Sequence, residues 1–539
     1  MVPWKRWLGR VPGLVELDWY FRTRHRAEVH RMLRRIAPHL WQWAHWAAER
    51  GARAPRGRRI AIFAMLAPWI AHTTVLGLAL RALGHQVTLG YLPYQDWSDR
   101  PPLWDVRKWD LNYRALLSQA RAALQPVSLL RASADPVPAA LEPALRALSR
   151  RDVEYTLQRE GADESSPLYA LRMQRNRRAA GVLLRWLRRL RPDALVVPNA
   201  AVLEFGVAYE VARHLGIRVV SYEFEYQKGH VWVAHDTPVM DLNTDDLWAA
   251  VHDRPLTPEQ WQRLQALMTA RRGGRTWGDH VRAWQKVGRA GAEALRQRLG
   301  LDERPVVLIA TNVFGDSMTL DRQIFSQGMA DWLADTLRFF ARRPQVQVVV
   351  RVHPGEALLV PGGMSMLQVV RQTLPQPPAH IHIVPPDARL NTYDLVDLTS
   401  LGLVYTTTLG LEMAMDGVPV IVAGRVHYRG RGFTWDPDSW DAYYDLLEQL
   451  FHAPQELALS QQQVEAARRY AYHFFFTYPR PYPWHLMFWE DTLAEWPFAA
   501  ALEQPAFRET FGLFAGEPMR WGQWAQAQAE LVPQPHPTS

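Results

Sequence analysis

Cysteine is absent from the 539 residues, which excludes disulfides, thiolate metal centres and cysteine nucleophiles. Lysine occurs only at Lys5, Lys108, Lys228 and Lys286, so arginine carries nearly all the positive charge. No apolar run reaches the ~18–20 residues that span a bilayer. The best candidate, Ile60 to Ile70, is short and has charged residues on its N-terminal side. The N-terminus has Lys5, Arg6 and Arg10 but no apolar stretch ending in a small-residue cleavage site, so a cytoplasmic location is expected. No D-x-D motif follows a strand-like run, and Asp241 to Asp246 (D-L-N-T-D-D) reads as a helix-start loop, so no essential metal is expected. Fixed-period repeats are missing too, and only the Pro-containing tail after Leu531 departs from globular composition.

What is present is ordinary for a folded protein: 48% hydrophobic and 22% charged residues exclude a disordered chain. The length suits two α/β domains with helical additions. The net charge of +8 is uneven, because residues 1–60 hold 14 Lys/Arg and 4 Asp/Glu, a net of +10, leaving −2 for the rest. That stretch interleaves Arg22, Arg24, Arg26, Arg31, Arg34 and Arg35 with Trp4, Trp7, Trp19, Trp41, Trp43 and Trp46. Such a mixture suits an anionic membrane surface or a polyanionic acceptor, and equally a helical hairpin packing its aromatics on the first domain.

From Arg58 an apolar run stopped by Pro68, a helical stretch to Leu83, and a second β-like run from Gln86 to Leu92 read as a β-α-β opening. Residues 93–170 are rich in Pro, Trp and charge and read as an insertion. The alternation resumes with a strand at Ala194 to Val197, a helix from Leu203 to Leu215, and a strand at Arg218 to Tyr222. Polar helical sequence from Thr257 to Leu299 then leads to strands at Pro305–Ala310, Val346–Val352, His380–Val384, Gly402–Tyr405 and Val418–Ala423. The expected fold class is α/β, with two doubly wound, parallel-sheet, Rossmann-like domains and helical additions at the N-terminus and between the domains. The expected divisions are a basic, aromatic helical segment (1–57), an N-terminal Rossmann-like domain (58–245), a helical connector (246–300), a C-terminal Rossmann-like domain (301–470), and an aromatic C-terminal segment with a tail (471–539).

Ligands of open α/β sheets sit beyond the carboxyl ends of the strands, so the residues just after each strand carry the chemistry. Four such places in the second domain are polar. T-N-V-F-G-D-S (Thr311 to Ser317) offers Asn312 and Asp316, which can equally close a turn. R-V-H-P-G-E presents Arg351, His353 and Glu356 where Pro354 stops a strand; arginine and imidazole donors suit phosphate. Y-T-T-T-L-G-L-E opens a strand through Thr406, Thr407 and Thr408 into a helix that carries Gly410 and Glu412. Hydroxyls and helix-start N–H groups suit an anion, and Glu412 suits sugar hydroxyls or a capping role. The turn Gly424 to Thr434 (G-R-V-H-Y-R-G-R-G-F-T) offers Tyr428 and Arg429.

An H-P turn after one strand, and a hydroxyl-rich turn before G-L-E-x-A-x-x-G-x-P-V-I after another, resemble the C-terminal domain of capsule polysaccharide biosynthesis glycosyltransferases. The resemblance runs from about Ile309 to Pro437, through I-F-S-Q-G-M-A-D-W, N-T-Y-D-L-V-D and H-Y-R-G-R-G-F-T, and more faintly over Ala194 to Trp248. It implies a GT-B arrangement and nucleotide-phosphate binding by His353 and by Thr406 to Thr408. Relatives acting on CMP-activated acidic sugars share these features, as do polyol-phosphate transferases. The usual serine-containing form of the second turn is all threonine here, so only phosphate binding is carried over. By the same resemblance the N-terminal domain holds the acceptor and supplies a base. Glu223, in Y-E-F-E after a predicted strand, is the first candidate, and His72, after the first strand, is the second.

The resulting expectation is a metal-independent glycosyltransferase with a nucleotide-sugar donor as substrate, no cofactor, and a glycan or lipid-linked glycan acceptor. Residues 1–57 are candidates for peripheral membrane contact, and no nucleic acid partner is expected. Two other readings stay open: transfer of a polyol phosphate from a CDP-polyol, and a non-catalytic scaffold in polysaccharide assembly. The aromatic stretch Tyr470 to Trp489 reads as a helix and loop crossing back to the first domain, its aromatics serving core packing or contact with a lipid-linked acceptor.

Overall fold

In a computed structural model of the chain, residues 4–23, 30–281 and 287–530 are described. Arg24, Arg26, Lys286 and the tail after Leu531 lie outside them. The chain divides into two compact units. Unit 1 comprises Met1–Thr156, Ala162–Met240 and Arg480–Met519; unit 2 comprises Leu157–Gly161, Asp241–Pro479 and Arg520–Ser539. Among the described residues no helix is long and apolar enough to cross a membrane.

Unit 1 is built on seven strands: β1 (Arg59–Met65), β2 (Gln86–Leu92), β3 (Leu124–Ser128), β4 (Ala194–Pro198), β5 (Arg218–Glu223), β6 (His230–His235) and β12 (Arg480–Pro481). Their order is β12-β6-β5-β4-β1-β2-β3. β1 to β5 pair in parallel, while β6 and β12 add antiparallel at one edge. The parallel strands are near-continuous apolar runs because helices cover both faces. In β1 every residue after Arg59 is buried. The helix Ala67–Ala82 is buried almost along its whole length, which explains why its sequence is apolar nearly all round.

The stretch 93–170, read from sequence as an insertion, supplies β3, paired with β2 from Val87↔Leu124 to Tyr91↔Ser128. Pro126 lies within that strand; it donates no ladder hydrogen bond and is tolerated because β3 is the sheet edge. The segment 480–519 belongs to the core of unit 1. Trp484 stacks on Phe498, and Tyr482 and Phe514 are fully buried beside it.

Unit 2 holds β7 (Val306–Ala310), β8 (Gln347–Arg351), β9 (Ile381–Val384), β10 (Thr399–Val404) and β11 (Val420–Val422), all parallel, in the order β11-β10-β7-β8-β9. The five strands predicted from sequence are these five, with ends moved by at most three residues. The polar helical stretch before β7 is counted with this unit and begins with a capping box, Thr257 with Gln260, on the helix Pro258–Arg272. Trp332 anchors the core, its indole N–H donating to the Tyr443 hydroxyl at 3.0 Å. Phe474, Phe475, Phe476 and Tyr478 are buried in this unit and Tyr482 and Trp484 in unit 1, so the aromatic stretch is core.

Both sheets reverse direction of strand addition at their middle. In unit 1, β2 and β3 extend one way from β1 and β4 starts the other way; in unit 2 the same happens at β7, with β10 on its opposite side. Loops at such a reversal diverge and leave a crevice at the carboxyl ends. The residues after β1 and β4, and after β7 and β10, are therefore where each unit is open to a ligand.

Candidate functional site

In unit 2 the loops after β7, β8 and β10 are tied together by two residues. Thr311 Oγ1 accepts from the His353 backbone N–H at 3.1 Å, joining the β7 and β8 loops. Asn312 Oδ1 accepts from the Thr406 backbone N–H at 3.2 Å, joining the β7 and β10 loops. The His353 imidazole accepts from Gly355 N–H through Nδ1 at 2.9 Å, which places its proton on Nε2. A Cβ at Gly355 would stand 2.9 Å from that same Nδ1, so any larger residue there would push the imidazole from this position. Asn312, His353, Thr406, Thr407 and Thr408 are thus brought to one strand edge.

Thr406 is 7% exposed, and its hydroxyl has no hydrogen-bond partner among the described residues. A buried hydroxyl left unpaired costs about 1–3 kcal/mol. Arg351, the last residue of β8, is also buried. Its guanidinium donates to Pro385 O at 2.7 Å and faces Thr392 Oγ1 at 3.4 Å, with no carboxylate partner among the described residues. Burial without a counter-charge pulls its pKa down to about 10. An unpaired hydroxyl and an uncompensated cation at one edge are what an anionic ligand would complete.

Six residues expected to face a donor are instead used by the fold. Glu356 is buried, and its oxygens accept from Ser365 Oγ and Met366 N–H at 2.7 Å each, capping the helix Met366–Thr373. Glu412 is 2% exposed; one oxygen accepts from Arg271 at 2.6 Å and the other from the Tyr393 hydroxyl, so neither is left for a sugar. Tyr428 is fully buried and donates its hydroxyl to Thr407 O at 2.7 Å. Gly410 makes room for that hydroxyl, which would lie 2.3 Å from a Cβ. Arg429 donates to the carbonyls of Val422, Asp436 and Pro437, stapling its own turn. Asp316 is exposed and closes a turn on Met318 N–H at 2.9 Å. Asp241 pairs with Arg322 at 3.0 Å and Asp245 with Arg431, and among the described residues no three acidic or histidine side chains converge as a metal site.

In unit 1, Glu223 ends β5 half-buried. Asn199, which follows β4, donates to its Oε2 at 3.1 Å, and Phe224 N–H donates to Oε1 at 3.0 Å. Burial outweighs both bonds and lifts the carboxyl to about 7, a value fit for a general base. The backbone around it is strained. Leu66 after β1 and Asn199, Ala200 and Leu203 after β4 all have positive φ, between 57° and 65°. Strain of about 1–3 kcal/mol per residue persists only where the surroundings impose it.

Here a buried charge network does so. Asp152 accepts Leu203 N–H at 2.6 Å and pairs with Arg172 at 3.0 Å; Arg172 and Arg175 each hold Glu204 at 2.9 Å. Burial alone would raise the Glu204 carboxyl, but the two arginines hold it at about 2. Asn199 and this network escaped the sequence reading, although P-N-A-A after a predicted strand offers a signal, since asparagine tolerates the left-handed region.

His72 does not belong to this edge. It has no accessible surface, sits among Trp69, Tyr222, Phe224, Tyr482 and Trp489, and shares a hydrogen bond with the Tyr222 hydroxyl at 3.0 Å. Burial keeps it neutral, with a pKa of about 3. It is a core histidine and reaches no substrate.

Residues 270–470, which contain the unit 2 sheet and its loops, match the family described as capsule polysaccharide biosynthesis protein. No curated protein sequence matches the chain. Among solved structures the chain is similar to the beta Kdo 2,7 transferase of Thermosulfurimonas dismutans KpsC, with 12% identity, 53% of this chain and 78% of that one covered, and a TM-score of 0.31. It is similar to the beta Kdo 2,4 transferase of the same protein at 15% identity, 60% and 87% coverage and a TM-score of 0.32. The UDP-GlcNAc 2-epimerase of Neisseria meningitidis, bound to UDP-GlcNAc, is similar at 12% identity, 78% and 99% coverage and a TM-score of 0.25. Likeness at these scores carries no functional weight.

Proposed function

We propose that this chain, which over residues 270–470 is of the capsule polysaccharide biosynthesis type, transfers a sugar from a nucleotide-sugar donor to a growing surface or capsular polysaccharide or another glycan acceptor. The observation that supports this most is the unit 2 strand edge, where the unpaired Thr406 hydroxyl and the uncompensated Arg351 stand with Asn312, His353, Thr407 and Thr408. Donors fixed in position before the reaction stabilise charge as it develops, at no reorganisation cost.

In the proposed step the bond between the sugar's anomeric carbon and the nucleotide phosphate breaks, and its electron pair leaves on the phosphate oxygen. That charge is met by the His353 Nε2–H, the threonine hydroxyls and the Arg351 field. The acceptor hydroxyl forms the new glycosidic bond and gives its proton to Glu223, whose raised pKa suits that transfer near neutral pH. The transfer is proposed to need no metal ion, these groups supplying the positive field.

The test is turnover of a panel of nucleotide sugars with glycan acceptors, with the product identified by mass. The expected product carries one added sugar in glycosidic linkage, formed undiminished in chelator. Glu223→Gln is expected to lower kcat about 10²–10⁴-fold while donor binding is kept. A product joined through a phosphodiester, or wild-type turnover in Glu223→Gln, contradicts the reading.

A further inference from the structure

The tryptophans and arginines of the N-terminal segment divide between two surroundings. Trp43 and Trp46 pack on Phe498 within the unit 1 core, and Trp19 donates its indole N–H to Asn112 at 2.6 Å. The polar side of the first two helices, Trp4–Leu8 and Leu14–Asp18, is anchored to the helix Leu103–Leu117. Lys5 pairs with Asp105 at 2.9 Å, Asp18 pairs with Lys108, and the buried Arg107 donates to Gly9 O and Val11 O and pairs with Glu16. Gly9 lies so close to Leu103 and Trp104 that a Cβ would meet their backbone at 2.5–3.1 Å. These helices are therefore seated on unit 1 by their charged side.

Their other side is apolar and exposed. Of the twelve large hydrophobic residues exposed among the described residues, Trp7, Leu8, Val11, Leu17, Tyr20, Phe21 and Trp41 lie in the first 41 positions, and Leu103 adjoins Gly9. Trp7 and Phe21 are each 77% exposed. Leu17, Tyr20 and Phe21 are spaced three and four apart along one continuous helical run, so they share a face, with Tyr20 and Phe21 in edge-to-face contact. Arg10 and Arg22 are exposed beside them, and residues 1–60 carry a net +10.

We infer that this face docks the protein on an anionic lipid bilayer, with Trp7, Leu17, Tyr20 and Phe21 entering the headgroup region and Arg10 and Arg22 meeting lipid phosphates. Aromatic and aliphatic side chains beside arginine fit the boundary between headgroups and acyl chains, where each cation near the surface adds attraction. A soluble polyanion would be recognised by arginine and stacked aromatics and gives no reason to expose Leu17 and Val11. The inference is independent of the proposed transfer, since it concerns attachment and not turnover.

The test is co-sedimentation of the full chain with vesicles of phosphatidylglycerol and phosphatidylcholine, against pure phosphatidylcholine, beside the triple variant Trp7→Ser, Leu17→Ser, Phe21→Ser. All three side chains are exposed, so the melting temperature should not move, and the equally exposed Leu358→Ser in unit 2 serves as control. The expected result is binding to the anionic vesicles only, weakened about tenfold or more in the triple variant and unchanged in Leu358→Ser. The inference is overturned by absence of wild-type binding, by equal binding of the triple variant, or by preference for a soluble acidic polysaccharide over vesicles. A dimer in solution that the same triple variant dissociates would also overturn it, since a second copy would then be the occupant.

Discussion

Glu223 stands half-buried at the end of β5 with the Asn199 side chain donating to it, and burial lifts its carboxyl from the ordinary carboxylate range to about 7. A raised folded-state pKa means that the folded protein binds this proton more tightly than the unfolded chain does. The associated stability is present below about pH 4.3 and is lost as pH rises through 7. Glu223→Gln, which cannot ionise, should therefore be more stable than wild type at pH 8 by about 1–3 kcal/mol, with the gap closing towards pH 5. Urea unfolding at the two pH values checks this, and an equal gap at both contradicts it. Glu223 was legible as an acid after a strand. Glu412 was legible as an acid in the right helix, yet its role was not, because Arg271 reaches it from 141 residues earlier in the chain. His72 reads as a base beside a strand only until the core around it is seen.

The loop between β4 and the helix Leu203–His214 is the element on which unit 1's edge depends. It holds two positive-φ residues, Asn199 and Ala200, without a glycine, and a third, Leu203, opens the helix; Asp152, Arg172, Arg175 and Glu204 clamp this stretch from within the core. Removing one partner of such a buried set leaves an uncompensated charge, at a cost of about 3–5 kcal/mol. Arg172→Met should lower stability by that much, measured by urea unfolding; a loss below about 1 kcal/mol would show that the network does not hold the loop. Elements with a strong pattern were readable: four of the five strands of unit 2 announce themselves as Val- and Ile-rich runs, and the fifth, β10, as the short apolar run before the threonine turn. β3 was not, because Pro126 argues against a strand unless the strand is known to be an edge, and edge position is a property of the finished sheet.

At the scale of the molecule, the two units interleave in sequence, and unit 1 is completed by residues 480–519. Tyr482, Trp484, Phe511 and Phe514 from that segment are fully buried, each worth about 2–3 kcal/mol. Their sum is comparable to the whole stability of a domain, about 5–15 kcal/mol. A chain ending at Pro479 should therefore fail to give a soluble, cooperatively melting protein; a sharp thermal transition at the wild-type temperature would contradict this. That return to unit 1 was legible in outline, as an aromatic helix and loop crossing back to the first domain, but aromatic residues signal burial without marking where one core ends and the other begins, here between Pro479 and Arg480. The two-sheet α/β plan was readable, because successive β-α-β patterns leave few alternatives.

The central claim is that the strand edge holding Thr406 and His353 binds the phosphate of a nucleotide sugar. Thr406→Val tests it most directly, because the hydroxyl it removes has no partner among the described residues, so the change should leave the unliganded fold as stable as wild type or slightly more so. The measurement is the rise in melting temperature of wild type, Thr406→Val and His353→Ala with UDP, GDP, CMP, CDP and their sugars, since a ligand of the folded state raises apparent stability through linkage. One nucleotide class is expected to shift wild type, and the shift to be lost in both variants. No shift with any nucleotide, or an undiminished shift in both variants, would contradict it.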